Sequence, residues 1–175
     1  KRPFFIFIGT ATQIGFTSKF FKKEDLPPDN PITLYDLGKL VGERSLMSLI
    51  SSGSIEGCSL RLCNVFGHLL SSQKNDRGIL DKVYNRCLEG QPIEILGSGN
   101  QIRHYTYGED LAKGICLLLE HPNAKNEDFN LSTAQSTTVL ELAEIIWKKI
   151  RRDENFSFKS VESFEFDVQK RIPST

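Results

Sequence analysis

Tyr35-Asp36-Leu37-Gly38-Lys39 places a phenol and an ammonium group four residues apart. On a helix, positions i and i+4 share a face. A lysine cation one turn from a phenol favours the phenolate and so lowers the phenol's pKa. Tyrosine, with an ordinary pKa of about 10, is a poor base at neutral pH. Such help makes general acid–base catalysis feasible. A Tyr-x-x-x-Lys pair alone is weak evidence, because a solvated surface pair has the same spacing. Three further features raise its weight. An apolar run ends in Thr10, 25 residues upstream. Arg61-Leu62-Cys63-Asn64-Val65-Phe66-Gly67 lies downstream. Beyond it come Pro92 to Arg103, containing Gly97-Ser98-Gly99-Asn100, and then Tyr107-Gly108-Glu109-Asp110.

These residues need a scaffold, and the pattern predicts an α/β one. Phe4–Ile8 is continuously apolar, as in a parallel strand covered on both faces. A buried strand at the start of a chain needs neighbours, so the expectation is a piece cut into the middle of a sheet. Prolines 27, 28 and 31 exclude a helix over 22–34 and predict a surface loop. A helix is predicted from Tyr35 to about Ser52, stopping at Gly53. Cys58–Phe66 reads as one strand, and 68–77 as a polar loop. A short amphipathic helix follows over Ile79–Leu88, ended by Gly90, then a strand over Ile93–Leu96. Tyr105–Tyr107 reads as a strand, with Asp110 capping a helix to about Glu120. Phe129–Leu131 is strand-like. Thr138-Val139-Leu140-Glu141 has capping-box spacing and opens a helix to about Ile150, closed by Lys148, Lys149, Arg151 and Arg152. Phe156–Phe158 is the last expected strand. Alternating short strands and helices predict α/β architecture.

Composition narrows the function classes. The 175 residues carry 22 basic and 22 acidic side chains, and 39% are hydrophobic. No basic excess predicts nucleic-acid binding. No apolar run of about 18 residues predicts a membrane span, and no signal peptide is visible. Cys58, Cys63, Cys87 and Cys116 form no CxxC pair; buried reduced thiols and a cytoplasmic location are expected. Clustered metal ligands are lacking, so no metal site is expected.

The ordered series of motifs resembles the extended short-chain dehydrogenase/reductases, the NAD-dependent epimerase/dehydratase family, and particularly its nucleotide-sugar epimerases. The likeness runs from residue 4 to about 150. It implies the second half of a doubly wound Rossmann-type sheet plus a smaller C-terminal α/β substrate-binding domain. Residues 1–67 would be the C-terminal part of the NAD(P)-binding domain with its catalytic helix, and 68–175 mainly the substrate domain. The glycine-rich phosphate loop and acidic ribose-binding residue of such folds would lie upstream.

By this resemblance Tyr35 is the catalytic acid/base, and Lys39 holds the nicotinamide ribose while tuning Tyr35. Thr10 matches the Ser/Thr that hydrogen-bonds the reacting sugar hydroxyl. Asn64, Arg103 and Arg171 match phosphate contacts, a planar fork suiting that anion. Leu80 and Ile95 fall near the base. The cofactor implied is NAD or NADP, the partner a nucleotide-diphosphate sugar, and the full-length assembly a homodimer. Departures from the family pattern include Ile14, Asp36, Gly38, His68 and His104. Thr10 is followed by Ala11 and Thr12, not by the acid of dehydratases and decarboxylases. That favours epimerisation or keto-reduction. The alternative is a non-catalytic nucleotide-sugar-binding or dimerisation module that retains the fold.

Overall fold

The computed structural model describes residues 3–14, 31–67, 78–152 and 155–162, and the backbone of 170–171. The elements are β1 (Phe4–Thr10), α1 (Leu34–Ser51), β2 (Glu56–Leu62), β3 (Asn64–Phe66), α2 (Ile79–Glu89), β4 (Ile93–Leu96), β5 (Ile102–Arg103), β6 (Tyr105–Tyr107), α3 (Gly108–Glu120), β7 (Asp128–Leu131), β8 (Thr137–Thr138), α4 (Val139–Arg151), β9 (Phe158–Val161) and β10 (Lys170–Arg171). The loops expected at 22–30 and 68–77, and His68, lie outside the described residues. The chain divides into two compact units: 1–67 with 104–135 and 171–175, and 68–103 with 136–170.

The first unit is built on a parallel sheet in the order β1-β2-β7. Thr10 pairs with Leu62, and Leu62 with Leu131, so the strands end together. The expectation put 68–175 mainly in a second domain; residues 104–135 belong to the first unit, where β7 completes the sheet beside β2. Four to seven residues of pairing per strand leave no local sign of which strand will be the neighbour.

The single strand expected over Cys58–Phe66 is two. Cys63 separates β2 from β3, and β3 turns to a different partner, β6, pairing Asn64 with Tyr105. Above the sheet, α1 starts on a capping box not foreseen: Asp36 N–H donates to Thr33 Oγ1 at 3.1 Å, and Thr33 N–H to Asp36 Oδ2 at 3.3 Å. Gly42 lets α1 come close to β1, since a Cβ there would stand 2.7 Å from the Phe7 ring. The expected cap at Asp110 is not formed. Tyr107 is the N-cap of α3, without a side-chain cap bond, and Asp110 lies in the first turn, 3.5 Å from Lys113. A carboxylate in the first turn still favours the helix dipole.

The second unit packs α2 and α4 on the short parallel pair β4–β9. Val83, Cys87, Ile93, Ile95, Ala143 and Trp147 form its core. The Thr138/Glu141 box caps α4 in both directions, at 3.0 and 2.8 Å, and Lys148, Lys149 and Arg151 occupy its last turn. The strand expected at Phe156–Phe158 lies at Phe158–Val161, and Phe156 packs edge-on against Trp147 at 6.1 Å instead of joining it.

Among the described residues no helix is long and apolar enough to cross a membrane, no disulfide forms, and no group of three His, Cys, Asp or Glu gathers to hold a metal. Cys58 and Cys87 are buried, and burial pushes both thiols up. Cys116 is exposed, contrary to the expectation of four buried thiols.

Candidate active site

The C-terminal end of β1 and the start of α1 bring Thr10, Tyr35 and Lys39 into one unit. Crevices outside the carboxyl ends of parallel strands are where open α/β sheets bind ligands. The helix puts Tyr35 and Lys39 on one face, with Lys39 Nζ 5.8 Å from the centre of the Tyr35 ring. Nζ is held in place by donating to Ile8 O at 2.8 Å, and it stands 5.5 Å from the Phe7 ring centre. Tyr35 itself is 61% exposed, so its phenol is open to a reactant.

Thr10 is fixed from two sides. Its backbone N–H donates to Gln13 Oε1 at 2.9 Å. A 3-10 turn over Ala11–Ile14 folds Gln13 back, and Gly9 makes room for it: a Cβ there would lie 2.5 Å from Gln13 Oε1. Gln13 Nε2 in turn donates to Glu43 Oε2 at 2.6 Å. Glu43 also accepts from Ser59 Oγ at 2.5 Å and from Arg61 Nε at 2.8 Å, and Arg61 makes a further ion pair with Asp128. This network joins α1, β2, β7 and the turn after β1 beneath Thr10. Burial would raise the Glu43 pKa, but hydrogen bonds from Arg61, Ser59 and Gln13 and the Arg61 charge hold it below the ordinary range. Burial likewise disfavours the Arg61 cation, and Glu43 and Asp128 more than reverse that.

On its other side the Thr10 hydroxyl lies 3.1 Å from Thr12 Oγ1, and Thr12 Oγ1 donates to Asp36 Oδ1. Sequence reasoning missed Thr12, Gln13, Asp36, Glu43 and Arg61 as parts of this site. The only legible signals were the Thr33-x-x-Asp36 spacing and Glu43 one turn beyond Lys39.

Asn64 begins β3 in the same unit. His104, which departs from the family pattern, is buried and shares a hydrogen bond with Ser132 Oγ at 3.2 Å; burial lowers its pKa, opposed by a backbone bond with Thr133. Leu80, Ile95 and Arg103 belong to the second unit. Leu80 is in the first turn of α2. Ile95 is wholly buried in the core of that unit. Arg103 is 9% exposed and its Nη1 donates to Ile102 O at 2.9 Å. Arg171 falls in β10, and its side chain lies outside the described residues.

The fold and the tyrosine–lysine helix define a Rossmann-type α/β protein of the short-chain dehydrogenase/reductase kind. The family model for the NAD dependent epimerase/dehydratase family matches residues 1–132, and the chain belongs to that family. A Methanocaldococcus jannaschii protein named "Putative UDP-glucose 4-epimerase" is 36% identical over 145 residues, 83% of this chain and 46% of that protein. UDP-glucuronic acid decarboxylase 1 of Danio rerio is 24% identical over 177 residues, 95% of this chain and 41% of that protein. Among solved structures, UDP-glucose 4-epimerase of Thermotoga maritima with UDP-glucose superposes with a TM-score of 0.84 at 28% identity, covering 98% of this chain and 54% of that one. UDP-glucuronic acid 4-epimerase of Bacillus cereus, in complex with UDP-glucuronic acid and NAD, gives 0.84 at 24%, covering 98% and 52%, and shares the fold. The chain spans about half the length of these relatives.

Proposed function

We propose that this chain carries the acid–base residues and part of the sugar-nucleotide site of an NAD(P)-dependent enzyme that epimerises or keto-reduces a nucleotide-diphosphate sugar. It works joined to a dinucleotide-binding half. The observation that carries this reading is Lys39, anchored on Ile8 O within 5.8 Å of an exposed Tyr35 ring and on the helix facing Thr10's strand.

The residues suit the cofactor. An ammonium has three donors; one is spent on Ile8 O, and two remain for the hydroxyls of a ribose diol. Bound NAD(P) supplies hydride acceptance and return at its nicotinamide ring. Tyr35, with Lys39 beside its ring, acts as the base that removes the proton of a sugar hydroxyl positioned at Thr10, and the carbon becomes a carbonyl as its hydrogen leaves. An epimerase returns the hydrogen to the other face of the turned keto-sugar, with Tyr35 giving back the proton. A ketoreductase runs the second half alone. Asn64, Arg103 and Arg171 take the phosphates, and Leu80 and the Ile95 backbone the base; the resemblance supports these roles. The working form is a homodimer, which the exposed apolar residues Leu34, Val41 and Leu49 on α1 support; four free cysteines support a cytoplasmic location.

Tyr35→Phe in the enzyme carrying both halves tests the reading. Turnover of UDP-sugars falls at least about a hundredfold, the lower range of general acid–base contributions, while nucleotide-sugar affinity stays within twofold. Undiminished turnover refutes it. Nucleotide-sugar binding without any cofactor reduction by the unmodified protein identifies the non-catalytic module instead.

A further inference from the structure

Gln13 is wholly buried, and the proposed reaction makes no use of it. Its carboxamide can stand only one way round. At one end it meets the main-chain N–H of Thr10, which can only donate. At the other it meets the Glu43 carboxylate, which, ionised, can only accept. The carbonyl Oε1 therefore takes Thr10 N–H at 2.9 Å, and Nε2 gives a hydrogen to Glu43 Oε2 at 2.6 Å. Glu43 is held still by Ser59 Oγ at 2.5 Å and by Arg61, whose Nε and Nη2 stand 2.8 and 2.5 Å from its two oxygens. Gly9 leaves the space for this link, since a Cβ there would lie 2.5 Å from Gln13 Oε1.

Tyr35, Lys39 and Glu43 follow one another at steps of four and form one row along α1. That row grips the end of β1 twice. Lys39 Nζ donates to the carbonyl of Ile8 at 2.8 Å, and Glu43 holds the N–H of Thr10 through Gln13. The two gripped groups stand on either side of Gly9. The main chain that carries the Thr10 hydroxyl is thus tied to the helix that carries the phenol. We propose that Gln13, oriented by Glu43, is a positioning residue that fixes Thr10 against Tyr35 in the geometry the proton transfer needs. This inference rests on the proposed function above for the statement that Thr10 and Tyr35 meet one substrate. Neither Gln13 nor Glu43 touches that substrate. Their contribution falls on the chemical step, since misplacing a reacting group by about 1 Å costs up to about a hundredfold in rate. Affinity for the nucleotide sugar, which the proposed phosphate and base contacts carry, is left alone.

The test uses the enzyme carrying both halves of the fold, with NAD and the fastest-reacting of UDP-glucose, UDP-glucuronic acid and UDP-N-acetylglucosamine. In Gln13→Met, which keeps the length but removes the amide, kcat falls at least about tenfold while KM stays within about twofold. Hydrogen exchange at the Thr10 amide quickens in the same variant, because that N–H has lost its acceptor. Gln13→Glu separates positioning from packing. The charged groups about this position are Glu43 on α1, Arg61 on β2 and Asp128 on β7, paired to Arg61. Burial and the Glu43 charge raise the pKa of the introduced carboxyl. While the two carboxyls share one proton, the hold on Thr10 N–H persists; once that proton leaves, two anions face each other and the hold is lost. The kcat of Gln13→Glu, divided by that of the unmodified enzyme at the same pH, therefore falls at least about tenfold from about pH 5.5 to about pH 8.5. All rates are taken below each variant's thermal midpoint. A merely structural Gln13 would lower that midpoint and leave the kcat of the folded enzyme and its pH ratio unmoved. Should Gln13→Met fail to fold, Gln13→Glu at acid pH, nearly identical in shape to the native side chain, carries the test. An undiminished kcat or unchanged Thr10 exchange in Gln13→Met, or a flat ratio in Gln13→Glu, overturns the positioning role, and an inactive Tyr35→Phe then spares the proposed function. Full turnover by Tyr35→Phe, or no turnover of any of the three sugars by the unmodified enzyme, overturns both.

Discussion

Glu43 holds a charge at 1% exposure, beneath the site and away from any reactant. Its partner Arg61 is 2% exposed, and the two meet through two hydrogen bonds, at 2.8 and 2.5 Å. Removing one member of such a pair leaves the other charged and buried, which costs about 3–5 kcal/mol. Glu43→Ala is expected to destabilise the unit by that amount in urea unfolding and to release Gln13 from behind Thr10. Two acid-sensitive steps follow from the pKa directions. His104 has its folded pKa lowered below the ordinary 6.5, so its contribution is complete above 6.5 and is lost as pH falls through the folded value. Glu43 is lowered below the ordinary 4.5, so its contribution is present above 4.5 and is lost on further acidification. Thermal midpoints measured from pH 8 to 3 should fall in two stages, the first removed by His104→Gln and the second reduced by Glu43→Gln, with Glu141, also lowered by its Thr138 bonds, sharing it. A first stage unchanged in His104→Gln would rule out its assignment to that ring.

At the scale of elements, α1 does most of the positioning, and its distance from β1 decides where the Tyr35 and Lys39 side chains stand. Gly42 sets that distance. Alanine normally improves a helix interior over glycine by about 1 kcal/mol. Here its methyl would meet the Phe7 ring at 2.7 Å, and overpacking costs about 1–3 kcal/mol. Gly42→Ala should therefore lower stability, and Phe7→Leu in the same chain should recover part of the loss; chemical denaturation of the two variants decides the sign. In the second unit, α4 depends on its capping box. Thr138→Ala should cost about 1 kcal/mol, seen as a lower denaturation midpoint with an unchanged m-value.

At the scale of the molecule, the outer strand of the first unit's sheet is partly wet on both faces. Phe5 is 50% and Ile8 37% exposed on β1, the outer strand of the β1-β2-β7 order. Parallel strands ordinarily have both faces covered. Neither the sheet nor the tyrosine–lysine helix contains a glycine-rich phosphate loop, and backbone amides of that kind hold a dinucleotide's pyrophosphate. This chain alone should bind NAD at least a hundredfold more weakly than the same chain joined to a dinucleotide-binding half, as measured by fluorescence titration. Equal affinities would mean that this half holds the cofactor by contacts other than those at Lys39.

The local regularities were legible in the residues themselves. A period of 3.6 from Tyr35 onward puts Tyr35 and Lys39 on one face, the Thr138/Glu141 spacing opens a helix, and an unbroken apolar run makes Phe4–Ile8 a strand, though not one covered on both faces. Each depends on contacts within a few residues, where spacing alone determines who meets whom. The arrangements around Thr10 depend on the tertiary fold. Glu43 reaches Arg61 across 18 residues, Asp36 reaches Thr12 across 24, and β7 returns to lie beside β2. No periodicity encodes those meetings. A buried charge or hydroxyl takes whichever partner the packed sheet and helix bring within hydrogen-bonding distance, because leaving it unpaired in a dry interior costs more than any local preference is worth.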